Sequence, residues 1–318
     1  MKIILIVLLT LTTLFSQEFQ KPQFQYTTDG PVTDLLYKNS KLYAATTAGK
    51  VNIFKLAGKK AIKTITVPKI KDFLGTIINA KIYSIDLIEN KLLLLSQASS
   101  GYRELYIYQN KKLIKVISAQ SKLAIAKAKF LNKSTVLLAL LSNEIISYDI
   151  KQKKENWRIQ VSMSSFSDFA LNEKREQVVV SDESGELHLF KTKNAKLINT
   201  FTGQNLDNVF MVEFKNSIIA TAGKDRRVAI YNLDKKSAYY KKSSFLVYSV
   251  GLSPKAEIVA YSSDEENNIT LFSRKYKTIL GNFTDNKMTI SKILFKNEHE
   301  FFVTSASKTI NYYKLKEQ

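Results

Sequence analysis

One residue class returns along this chain at a nearly constant step. Aligned on an aromatic that closes a short β-type run, the segments AGKVNIF, RELYIY, NEIISY, GELHLF, RRVAIY, NNITLF and KTINYY set Phe54, Tyr108, Tyr148, Phe190, Tyr231, Phe272 and Tyr313 in register. Their separations are 54, 40, 42, 41, 41 and 41 residues. A fixed period of about forty residues marks an array of supersecondary units, each unable to bury its own faces and each stabilised by stacking on the next. The longer first interval predicts an insertion between Thr66 and Ala80.

Two earlier strands precede each aromatic. The innermost candidates are VTDLLY, IYSIDLI, IAKAKFL, FSDFAL, VFMVEF, VYSVGLS and ISKILF, and the second strands are KLYAATT, KLLLLSQ, TVLLALL, QVVVSD, SIIATAG, EIVAYSS and EFFVTSA. These β-branched, aromatic and aliphatic runs of strand length alternate with polar turns. The expectation is an all-β, seven-bladed propeller of four-stranded antiparallel blades in one domain, residues 17–318. The last blade runs out of chain after its third strand. PQFQYTT, Pro22 to Thr28, is strand-like and precedes the first blade, so it is predicted to supply the missing strand and close the ring.

MKIILIVLLTLTTLFSQEF opens the chain. One Lys precedes an apolar run from Ile3 to Phe15, too short for a comfortable bilayer span but suited to a signal peptide. Residues 1–16 are read as that signal peptide, with a retained anchor as the alternative because Leu14 stands where a small residue is preferred. Export from the cytoplasm removes nucleic acid from the expected partners. The net charge of +20 rests on 42 lysines and only six arginines. Lysine is a hydrated point charge, so the surplus suits diffuse attraction to anionic surfaces rather than bidentate recognition.

The chemistry-bearing residues are sparse. With no cysteine, disulfides and thiolate sites are excluded. His188 and His299 fall in different blades with no serine or carboxylate set around them, and read as core and turn histidines. The acidic segments SDESGE from Ser181 and SSDEENN from Ser262 lack the spacing of a calcium loop. Trp157 is the single tryptophan and reads as a blade-packing residue. No catalytic residue, cofactor or metal site is expected.

TAGKDRRVAIYNLD, Thr221 to Asp234, resembles a WD40 repeat. Tyr231-Asn232 stands where that family carries Trp-Asp, and Asp225 matches its turn aspartate. Ala48 and Ser184 replace that aspartate elsewhere, and no blade opens on Gly-His. The leader followed by FQYTTDGPVTDLLYKNSKLYAATTAGKVNIF, Phe24 to Phe54, resembles the accessory propeller of periplasmic nitrate reductase (NapL type) of epsilon-class proteobacteria. That resemblance implies a non-catalytic periplasmic scaffold serving assembly of nitrate reductase, or electron transfer to it, with other periplasmic proteins as partners. The alternatives are a scaffold of the outer-membrane assembly type and a ligand-binding or enzymatic propeller. The last would use polar groups at the channel, where Thr33, Tyr83, Ser167, Tyr248 and Ser291 are expected, mostly uncharged.

Turn charges divide unevenly. The third-to-fourth turns, from KLAGKK to SRKYK, hold fifteen lysines and Arg274 against Asp234, a net +15. The second-to-third turns hold six basic and nine acidic residues, a net −3. The lysine-rich face, with Lys151, Lys153, Lys154, Lys191 and Lys193, is therefore expected to meet an anionic membrane surface or an acidic partner. The other face, with Arg103, Lys224, Arg226 and Arg227 beside acidic turns, is expected to make a specific protein contact.

Overall fold

The computed structural model describes residues 18–316; the expected signal peptide lies outside them. Seven sheets stand around a central channel. Blades one to six span residues 32–66, 82–117, 125–160, 166–201, 209–242 and 250–283, and blade seven spans 290–314. The strands are laid down antiparallel from the channel outwards, so turns between strands one and two, and between three and four, share one face of the disc. Turns between strands two and three share the other face with the blade-to-blade connections.

Closure follows the predicted scheme. Phe24–Thr27 pairs antiparallel with Thr309–Lys314 and completes blade seven. An unanticipated strand, Phe19–Gln20, adds in parallel to Ile279–Phe283, making blade six five-stranded. The insertion after blade one forms a small hairpin, Ile70–Lys71 with Ile77–Ile78. Its tip is set by Asp72, whose Oδ1 accepts the Leu74 and Thr76 amides at 2.9 and 2.8 Å.

The core is not a single mass but seven slabs, one at each blade boundary. Phe130 and Ile125 pack against Leu93 and Leu95 between blades two and three, for example, and Tyr26 and Phe54 join Phe302 between blades seven and one. This explains why second strands such as Thr135–Leu140 are apolar at successive positions: neighbouring blades cover both faces. Fourth strands have one neighbour fewer, and four of the five residues of Leu197–Phe201 are exposed.

Candidate functional site

Each first strand borders the channel, and a bulge at the same place decides what faces it. Register shifts recur at Val32/Asp34, Ile125/Lys127, Phe166/Asp168, Val209/Met211 and Ile290/Lys292, with Ile82 and Ser84 equivalent in blade two. A bulge twists the strand and re-aims the side chains beyond it. The skipped residues Thr33, Tyr83, Ser167 and Ser291 line a cavity of about 190 Å³, as the sequence suggested. Tyr248 instead stacks on Phe210, ring centroids 5.5 Å apart.

The expectation of a mostly uncharged channel is overturned one residue further in. Asp34, Lys127, Asp168 and Lys292 line the same cavity. Lys129, Asp86, Glu213, Lys215 and Arg175 line a second one, of about 300 Å³, towards the other end. Lys127 Nζ lies 2.5 Å from Asp168, Lys129 lies 3.1 Å from Asp34, and Lys292 reaches both Glu213 and Asp34 at 3.7 and 3.8 Å. Arg175 crosses from the first turn of blade four to hold Asp86 of blade two with both terminal nitrogens.

First strands of adjacent blades do not pair, so their edge amides and carbonyls need other partners. The charged side chains supply them. Asp34 accepts the Ile85 amide at 2.9 Å, Asp86 that of Phe130 at 2.8 Å, and Asp168 that of Val212 at 3.1 Å. In return Lys127 donates to the Phe169 carbonyl, Lys129 to that of Ile85 and Lys215 to that of Leu252. The ring is thus sewn across its inner edge by ion pairs that also complete backbone hydrogen bonding.

Burial works against every charge here, and neighbours decide the outcome. Burial would raise the Asp34 carboxyl, but Lys129, Lys292 and the Ile85 amide together lower it to about 2. Burial outweighs Asp168 at Lys127, with Lys292 and Lys129 adding repulsion, so this ammonium sits below the ordinary lysine range. Lys292 is raised, because Asp34, Glu213 and Asp168 overcome its desolvation. Among the described residues no group of His, Asp and Glu could hold a metal ion. His188 is buried, 3.5 Å from Glu186 and stacked on Phe190, while His299 is exposed at the first turn of blade seven.

The faces differ as strongly as the turn sequences suggest. All fifteen lysines of the third-to-fourth turns are exposed, including Lys151, Lys153 and Lys154 on blade three and Lys191 and Lys193 on blade four. Arg274 is half-buried and donates to the Ala256 carbonyl. On the opposite face Arg103 lies over the Tyr83 ring at 4.1 Å, beside the channel mouth. Arg227 lies over Tyr240 at 3.9 Å and donates to the Gln204 carbonyl, whereas Lys224 and Arg226 are exposed. Arg103 belongs to blade two and the other three to blade five, so the structure does not bring these four together. What sequence reading missed on this face is apolar. Phe73, Leu74, Ile77, Leu141, Met163, Leu206 and Met288 all stand exposed on its turns and connections, Phe73 at 92% and Met163 at 95%.

Fold and site together define a seven-bladed β-propeller with an ion-paired channel and two chemically distinct faces. No protein-family model matches the chain, and a search of the curated proteins returns no match.

Proposed function

We propose that this propeller is a non-catalytic scaffold whose apolar face receives a protein partner. One observation supports it above the rest: among the described residues, most of the large apolar side chains exposed on turns and connections lie on that face, with Ile62 and Tyr276 on the other. A contiguous exposed apolar patch is a mark of an interaction site, and Phe73, Leu74 and Ile77 stand together on the inserted hairpin. The channel favours the same reading, because a substrate there would have to displace charges already paired with one another and with backbone groups.

The resemblance of Phe24–Phe54, together with the apolar leader, supports a finer assignment: a WD40-type periplasmic accessory of nitrate reductase assembly or electron transfer. The test is co-purification of nitrate reductase subunits by the wild type and by a Phe73→Ser, Leu74→Ser, Met163→Ser variant. Subunits retained by the wild type alone are the expected result. Equal retention by both proteins removes the apolar face from the account, and no retention removes the nitrate reductase assignment.

A second contact fits the lysine-rich face. Phe19–Gln20 runs parallel to Ile279–Phe283, so its amino-terminal end is turned towards the third-to-fourth turns, and Glu18 lies 3.7 Å from Lys316 on that side. The amino-terminal side of the domain and the exposed lysines therefore share one face, as a protein resting on anionic headgroups requires.

A further inference from the structure

The seven blade boundaries are not filled alike. On each fourth strand, one residue stands opposite the position just before the third-strand aromatic, and in four blades it makes a contact across the boundary to the next blade. In blade three that residue is Trp157, opposite Ser147, and its indole donates to the Thr192 carbonyl of blade four at 3.2 Å. In blade five it is Tyr239, opposite Ile230, whose hydroxyl donates to the Arg274 carbonyl of blade six at 2.8 Å. In blade one Lys63 extends over the Tyr108 ring of blade two, and in blade seven Phe24 lies beneath Lys59 of blade one. Blade six has Gly281 there, and Gln20 and Leu315 crowd the space a side chain would take.

Blade two places Ile114 there, opposite Ile107 and itself 53% exposed, and blade four departs from the series as well. Its residue is Asn199, opposite Leu189, and it is exposed. Between blades four and five a cavity of about 590 Å³ remains, with Leu189, Ile198, Phe201, Tyr231 and Leu233 among its walls and Lys236 at its edge. That volume falls within the range of ligand sites. The wall on one side is the outermost strand of blade four, Leu197–Phe201, whose outer edge pairs with no other strand among the described residues. The turns flanking the cleft, residues 191–196 and 232–236, expose Lys191, Lys193, Lys196, Lys235 and Lys236 against the single acid Asp234.

From these features we infer that the cleft between blades four and five seats an extended peptide from a partner protein, one with leucine or phenylalanine side chains flanked by acidic residues. The apolar walls take the side chain that Trp157 and Tyr239 supply at their own boundaries. The free strand edge offers backbone hydrogen bonds, and the lysines select the flanking charge. This deepens the scaffold reading by giving it a second site and a ligand class, and it rests on that reading.

The test uses short fluorescein-labelled peptides carrying a Leu-Leu or Phe-Leu pair, flanked by either Asp/Glu or Lys, followed by fluorescence anisotropy on the wild type and on Asn199→Trp. That substitution installs the filler of blade three, so the variant should melt no lower than the wild type. The expected result is saturable binding of the acid-flanked peptides and weaker binding of the lysine-flanked ones. Asn199→Trp should weaken the acid-flanked binding by roughly tenfold or more, the scale of losing one apolar pocket. Lys196→Gln, Lys235→Gln and Lys236→Gln together should remove most of its salt dependence. Binding that Asn199→Trp leaves unchanged overturns the cleft while leaving a scaffold with its site elsewhere. No peptide binding at all, or binding of a small apolar dye displaced by no peptide, overturns the peptide assignment.

Discussion

Replacing Tyr26 by alanine should open the ring at its seam. Tyr26 is 1% exposed on the strand that closes blade seven, its ring 5.2 Å from Phe54 of blade one and 6.2 Å from Phe302. Its hydroxyl donates to the Leu56 carbonyl at 2.9 Å, so one side chain ties the closing strand to both terminal blades. Truncating a buried aromatic costs about 3–5 kcal/mol, and the lost hydrogen bond about 1 kcal/mol within or beyond that. With an unfolding entropy near 2.1 cal/mol/K per residue, a domain of roughly 300 residues loses about 6 °C for every 4 kcal/mol. Tyr26→Ala should therefore melt about 6 °C below the wild type by calorimetry, and Tyr26→Phe only about 1–2 °C below. A companion effect appears in alkali. Burial, with Tyr37 adding, pushes the Tyr26 phenol up to about 12 from 10.0. Its stabilisation is therefore whole below pH 10 and is lost as pH rises through about 12, and Tyr26→Phe should remove that share of the alkaline loss. A Tyr26→Ala protein that melts within about 1 °C of the wild type would refute the closure argument.

Acid should act through the channel. Asp34 is lowered to about 2 from 3.8, so its contribution is present above pH 3.8 and lost as pH falls towards 2. Asp34→Asn should thus melt lower at neutral pH, leaving Lys129 and Lys292 short of a partner, yet show a flatter profile across that acid window in a pH-resolved thermal shift assay. Trp157→Ala should cost about 2–4 kcal/mol through lost packing between blades three and four, read as a shifted urea midpoint with little change in slope. Changing Lys151, Lys153, Lys154, Lys191 and Lys193 to Gln should abolish low-salt co-sedimentation with anionic vesicles, which salt should also weaken in the wild type. Salt-insensitive binding by both proteins, or none by either, would remove the membrane contact.

Much of the architecture was legible because a propeller repeats one local problem seven times. The aromatics from Phe54 to Tyr313 keep their step because each third strand must reach the same slab of core, and a step of about forty residues leaves little freedom in blade count. The closing strand was legible because blade seven ended one strand short. The Phe19–Gln20 addition was not, since two residues carry no periodicity. The channel charges were written plainly, as Asp34 in VTDLLY, Lys127 and Lys129 in IAKAKF, and Lys292 in ISKILF. They were missed because simple strand alternation assigns the channel to Thr33 and Ser167, and only the bulge brings their neighbours Asp34 and Asp168 to it as well. A charge inside an otherwise apolar first strand was the usable signal. The cleft at Asn199 was invisible for another reason: an asparagine on an exposed outer strand is ordinary, and its meaning comes from what occupies the same place in the other blades.

The scaffold reading meets its most direct test in cross-linking mass spectrometry of the protein with its co-purified partner, using an amine-reactive reagent. The lysines make both faces addressable. Partner links should concentrate on Lys69, Lys71, Lys224 and Lys287, which are exposed among the apolar residues of one face, with Lys151, Lys153 and Lys154 unlinked to the partner. Links confined to Lys151, Lys153 and Lys154 and the other lysine-rich turns, with none on the apolar face, would contradict the account.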